Sequence, residues 1–137
     1  MPSSGVVASS AILQLARELR TAMDQRFEPL GITSQQAGLL IHVVTGVTSP
    51  RRLSQLLGTD SAGTTRLLDR LEGKGLIERG RDAKDRRAIS VALTKAGRAL
   101  VPKLPTVFED VAADLLESLD PTRVAADVET MLRNLRG

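Results

Sequence analysis

The sequence contains no cysteine, no tryptophan and no tyrosine, and only one histidine and two phenylalanines in 137 residues. Without thiols there are no disulfides, thiolate nucleophiles or cysteine-ligated metals. One histidine, His42, excludes a multi-histidine metal cluster. With Phe27 and Phe108 as the sole aromatic rings, the chain offers little platform for stacking single-stranded bases. No apolar run approaches the roughly 18–20 residues that a membrane span requires. Residues Met1 to Ser10 lack the basic start and apolar stretch of a signal peptide. The expectation is a soluble, cytoplasmic protein that does not engage a membrane. No glycine-rich phosphate loop, metal-ligand cluster or nucleophile–base pair is present. The reading is therefore a non-enzyme with no metal and no cofactor.

What the chain does have is 42% hydrophobic residues, enough for a core, and an uneven charge. Its net charge is +3. Residues 1–50 balance three basic against three acidic side chains. Residues 51–87 hold ten Lys and Arg against six Asp and Glu, and residues 88–137 hold six against seven. The middle third thus carries the positive charge, the footprint of a polyanion partner.

Periodicity organises the chain into helices around a short β unit. Over residues 10–28, Ile12, Leu15, Ala16, Leu19, Ala22, Met23 and Phe27 recur at helical steps, with Ser9 or Ser10 as cap and Pro29 with Gly31 as the stop. Thr33 and Gln36 fit a capping box for a second helix, whose inner face is Ala37, Leu40, Ile41 and Val44. Ser49-Pro50 opens a short third helix that Gly58 breaks. Asp60 or Thr59 caps a fourth, roughly 61–74, ending at Gly75. Two short helices about a tight glycine turn form a helix-turn-helix pattern. The period then changes to two. Leu76–Arg79 and the alternation through Ile89, Val91 and Leu93 predict two strands joined by a charged loop, a wing. Thr94 caps a further helix to about residue 119, with Pro102 and Pro105 expected to kink or break it early. Asp120-Pro121 starts the last helix, expected to bury Val124, Val128, Met131, Leu132 and Leu135. The fold class is mainly α with a small β wing: a winged helix-turn-helix core over 33–93, flanked by dimerisation helices at 10–28 and 95–136. The terminal helices carry apolar stripes outside a core that is already complete, so a two-fold dimer is expected to cover them.

On a wheel with Thr64, Leu67, Leu68 and Leu71 inward, the fourth helix presents Ala62, Thr65, Arg66, Asp69, Arg70 and Gly73 outward. Small residues allow close approach to a major groove, and arginine donates two hydrogen bonds to guanine. Ser61 and Thr65 can reach bases or phosphates, and Arg51 and Arg52 phosphates. Lys84, Arg86 and Arg87 arm the wing, where a long arginine can enter a minor groove. Asp69 either pairs with Arg66 or accepts a hydrogen bond from cytosine N4.

The run from Asp60 to Gly97 resembles the MarR family of winged helix-turn-helix regulators. The matching stretches are Thr65-Arg66-Leu67-Leu68-Asp69-Arg70-Leu71-Glu72, Lys74-Gly75-Leu76-Ile77-Glu78-Arg79, Asp85-Arg86-Arg87 and Leu93-Thr94-Lys95-Ala96-Gly97. The resemblance implies a homodimer that binds a pseudo-palindromic double-stranded DNA operator and usually represses. It implies that Asp85 orients Arg87 into the minor groove and that recognition-helix contacts fall on Ser61, Ala62, Thr64, Thr65 and Arg66. It also implies a small-molecule effector in a crevice between dimer helices and winged domain, for which Leu19, Met23, His42, Val101 and Phe108 are the candidates. Gly63 departs from a strong helix and Ala62 from the common hydroxyl residue. The alternative reading is a winged-helix protein-interaction module that has lost DNA binding.

Overall fold

The computed structural model describes residues 1–137, which form seven α-helices, two 3₁₀ turns and one two-stranded sheet. Helix α1 spans Ser4–Phe27, starting earlier than its apolar stripe predicts. Ser3, not Ser9 or Ser10, caps it, accepting from the Val6 N–H at 3.3 Å. Ser9 lies inside the helix with its hydroxyl donating to the Gly5 carbonyl. A serine that satisfies itself on the preceding turn does not stop a helix. Pro29 sits in a 3₁₀ turn, Glu28–Leu30, and Gly31 at φ 75° completes the corner.

Helix α2, Ser34–Val44, begins with the expected capping box. The Gln36 N–H donates to Thr33 Oγ1 at 3.2 Å, and the Thr33 N–H to Gln36 Oε1 at 3.1 Å. The same Gln36 oxygen accepts from Lys74 Nζ at 2.8 Å, and Lys74 also reaches the Gly31 carbonyl at 2.7 Å. One buried amide thereby ties the start of α2 to the residue that follows the fourth helix.

Helices α3, Pro50–Leu57, and α4, Ser61–Gly73, form the helix-turn-helix. Ser49 caps α3, and Gly58 closes it in the left-handed conformation at φ 64°. Asp60 caps α4 through the Gly63 N–H at 2.6 Å. Strands β1, Ile77–Arg81, and β2, Ile89–Leu93, pair antiparallel with Ile77 opposite Leu93 and Arg81 opposite Ile89. Ile77, Val91 and Leu93 point into the core, as period two requires. The Val91 N–H donates to the Thr48 carbonyl at 2.8 Å, which holds the sheet against the α2–α3 loop.

The helical stretch predicted from Thr94 to about residue 119 is broken at its prolines into three pieces. Helix α5 covers Lys95–Leu100, a 3₁₀ turn Val101–Lys103, and helix α6 Leu104–Leu115. Pro102 lies in the 3₁₀ turn, while Pro105 occupies the first turn of α6, where its missing N–H leaves no carbonyl unpaired. Ser118, at φ 66°, redirects the chain into helix α7, Pro121–Arg136.

The core centres on Phe27, Leu39, Leu40, Leu53, Leu71 and Leu104, all fully buried. Phe108 of α6 meets Phe27 edge-on, ring centroids 5.0 Å apart, and Arg26 pairs with Asp114 at 3.1 Å across the same contact. Helix α7 corrects one expectation. It buries none of its residues within the subunit, and only Val124 is half-buried. Val128, Met131, Leu132 and Leu135 are 45%, 43%, 41% and 86% exposed. Val6, Val7, Ile12, Leu13 and Leu15 of α1 are exposed as well. These stripes have no partner in their own chain because the winged core is closed without them. No helix is long and apolar enough to cross a membrane.

Candidate nucleic-acid interface

Helix α4 packs Leu67, Leu68 and Leu71 into the core and exposes Ser61, Ala62, Thr65, Arg66, Asp69, Arg70 and Gly73. This is the orientation its wheel predicts. Arg66 and Arg70 make no ion pair or side-chain hydrogen bond within the chain, so their donors remain available to a partner. Thr65 turns its hydroxyl back to the Ser61 carbonyl at 2.9 Å. Thr64 is withdrawn from the interface. It is 1% exposed, its hydroxyl donates to the Asp60 carbonyl, and it lies 2.5 Å from Ser54 Oγ. It therefore locks α3 to α4 rather than facing outward.

Gly63 has a local cause. A Cβ there would overlap the Thr59 hydroxyl and stand 3.1 Å from the capping Asp60 carboxylate. The helix propensity lost at Gly63 makes room for the cap. Arg51 and Arg52 are exposed at the start of α3, and Arg52 Nη1 reaches Gln55 at 3.2 Å.

In the wing loop both carboxylates are used on backbone. Asp82 accepts from the Lys84 and Asp85 N–H groups at 3.1 and 3.0 Å, and Asp85 from the Arg87 N–H at 3.0 Å. Asp85 thus fixes the backbone that carries Arg87, rather than gripping its guanidinium. Arg81, which no sequence motif singles out, donates to the Arg86 carbonyl at 2.8 Å and braces the loop from inside. The result is a folded tip whose Lys84, Arg86 and Arg87 side chains are exposed and unpaired.

Asp69 takes a partner the sequence did not indicate. Arg79 of β1 donates through Nη2 to Asp69 Oδ1 and to Glu72 Oε2, both at 2.6 Å. No spacing rule signals this pair, because Asp69 and Arg79 lie on different elements. The Arg79 side chain holds the Glu72 carboxyl below its ordinary 4.5, first by hydrogen bonding and further by charge attraction. The same bonds to Glu72 and Asp69 push Arg79 up. A carboxyl with a lowered folded value adds stability above its unfolded value and loses it as pH falls through the folded one. The link between α4 and β1 is therefore expected to persist at neutral and mildly acidic pH and to loosen only below about 4.5. Chemical shifts of the Arg79 amide during an acid titration would show this; a transition near neutrality would contradict it.

The five effector candidates lie apart from any single principal cavity. Leu19 lines a groove of about 380 Å³ between α1 and α6, with Ala22, Val111 and Leu115. Met23, Val101 and Phe108 are packed against the core, and His42 is half-buried on α2.

A helical core with a helix-turn-helix, a basic outward helix face and an armed β-hairpin defines a winged helix-turn-helix protein. A family model described as the MarR family matches residues 30–88. The structure is similar to that of a mutant MarR from E. coli complexed with operator DNA (27% identity, TM-score 0.80, covering 93% of this chain and 91% of that one). It is similar to the S. aureus MepR–DNA complex (26% identity, TM-score 0.81, 92% and 96% covered). It is also similar to a MarR transcriptional regulator from Methanosarcina mazei (29% identity, TM-score 0.81, 93% and 95% covered). Residues 30–88 thus match the MarR family model, and the chain shares its fold with these regulators.

Proposed function

We propose that the protein is a sequence-specific double-stranded DNA-binding repressor that acts as a homodimer on an inverted-repeat operator. The observation that carries this reading is the set of unpaired cations on α4 and the adjacent wing: Arg66, Arg70, Lys84, Arg86 and Arg87. Both similar structures with DNA support it. The N-terminal half of α4 combines small residues with Arg66 and suits a major groove, while the wing tip suits the flanking minor groove. The uncovered stripes of α1 and α7 supply a self-complementary surface. A two-fold pair would place two α4 helices on half-sites about one helical turn apart. Relief by a small molecule belongs to the same reading. A ligand wedged beside Met23, Val101 and Phe108, where α1 meets the α5–α6 junction, would change the separation of the two winged domains.

The test is selection of duplexes from genomic fragments, followed by binding at two salt concentrations. An enriched inverted repeat is expected, with affinity falling about 10³–10⁵-fold between roughly 50 and 200 mM salt for some 6–10 phosphate contacts. Arg66→Ala should cost about 1–3 kcal/mol and relax preference at one base pair. Arg87→Ala should weaken binding chiefly at sites with A·T-rich flanks. Weak, salt-insensitive binding by a folded dimer would overturn the regulator and favour the protein-interaction module.

A further inference from the structure

Arg79 is half-buried in the middle of β1, opposite Val91. Its guanidinium ties the hairpin to two carboxylates of α4, and the Arg79 N–H adds a longer bond to Glu72 Oε1 at 3.4 Å. Asp69 and Glu72, three residues apart, share one face of α4, and a single Nη2 satisfies both. The hairpin is otherwise held at its base. The Thr94 N–H donates to the Leu76 carbonyl at 3.1 Å and the Val91 N–H to the Thr48 carbonyl. Beyond Arg79 the stretch from Gly80 to Ile89 bonds only to itself and to its β2 partner residues.

The charges on α4 make the bridge consequential for a polyanion. Arg66 and Arg70 are matched in number by Asp69 and Glu72, so the helix alone presents no net charge to a phosphate backbone. With Arg79 bound across both carboxylates, the face is positive.

Resting on the reading of this chain as a DNA-binding regulator, we infer that Arg79 is a positioning residue for DNA recognition. It sets the angle of the wing against the recognition helix, so that Arg86 and Arg87 reach the flanking minor groove when α4 is seated. It also withdraws Asp69 from base reading. Wing and helix then read DNA as one rigid unit.

Two perturbations separate positioning from charge. Asp69→Asn with Glu72→Gln loosens the hairpin, because a neutral amide oxygen accepts more weakly than a carboxylate, while making α4 more positive. Arg79→Gln unties it while making the region more negative. The probe is the duplex that the wild-type protein selects, prepared with A·T-rich and with G·C-rich flanks. Both variants are expected to lose the flank preference. Arg79→Gln should also lose about tenfold in affinity, whereas the Asn/Gln pair should bind non-specific duplex at least as well as wild type. Arg79→Lys, which restores the charge and one bond, should recover part of the preference. Hydrogen exchange of the Gly80–Ile89 amides, measured without DNA, should quicken in both variants while the α2 and α4 core amides keep their protection. An Asn/Gln variant that retains wild-type flank preference and wing protection overturns the inference and leaves the DNA-binding reading intact. A folded wild-type protein that selects no duplex overturns both. If Arg79→Gln fails to fold, the Asn/Gln pair still decides, because it removes no buried group.

Discussion

Met131→Asp combined with Leu132→Asp is expected to give a folded monomer that loses about 10²–10⁴-fold in affinity for a two-half-site operator. The apolar residues of α7 recur at helical spacing, yet none is buried within its own subunit. An apolar stripe left in water gains roughly 25 cal/mol per Å² when a second surface covers it. Burying a leucine or methionine is worth about 1.5–3 kcal/mol, and a two-fold interface counts each residue twice. Placing two carboxylates there reverses the sign, since an unpaired charge resists burial. The winged core should survive because α7 adds no side chain to it. The affinity falls because the second half-site is no longer held at high effective concentration by the first. Sedimentation and operator binding on the same sample would check this. A variant that remains dimeric would locate the interface elsewhere, and a monomer with undiminished affinity would remove the need for a dimer.

Gly97→Ala should cost about 3 kcal/mol, a fall in Tm of roughly 10 °C, despite adding only a methyl group. Gly97 is buried in the first turn of α5, and its N–H donates to the capping Thr94 hydroxyl at 3.1 Å. A Cβ there would overlap the Leu76 carbonyl oxygen. That oxygen belongs to backbone and already accepts from the Thr94 N–H, so it has no flexible side chain's freedom to move aside. Either α5 lifts off the strand or the Gly75–Leu76 turn opens, and both displace the base of the wing. Gly73→Ala is the control. It adds the same methyl to α4 where nothing lies within 4 Å, and should gain up to about 1 kcal/mol from helix propensity. Thermal melts of the two variants distinguish a close backbone approach from a generic effect of replacing glycine. Equal Tm values for Gly97→Ala and wild type would show that α5 has slack.

Most of the local structure is legible from residue type and spacing. The Thr33–Gln36 capping box, the Ser49-Pro50 start, the Gly58 turn, the Asp60 cap and the Gly75 stop are all present where the sequence puts them. Each is satisfied within about four residues, so the information is contiguous. The wing is legible for the same reason: Ile77, Val91 and Leu93 alternate into the core. The exposed arginines of α4 follow from the helical period alone.

The partners of the polar side chains come from the packing of separate elements. By spacing, Asp69 has Arg66 as its natural neighbour; the fold gives it Arg79, because the turn at Gly75 brings β1 back beside α4. Thr64 reads as an available hydroxyl near the helix start, but Ser54 of α3 covers it. Asp85 and Arg87 meet, though through the arginine's backbone N–H rather than its side chain. The apolar stripe of α7 reads as a face to be buried and lies open in the subunit, since periodicity specifies a face and not what covers it. A cap needs only the next turn of chain, whereas a side-chain partner depends on how distant elements meet, and that meeting is set by the core as a whole.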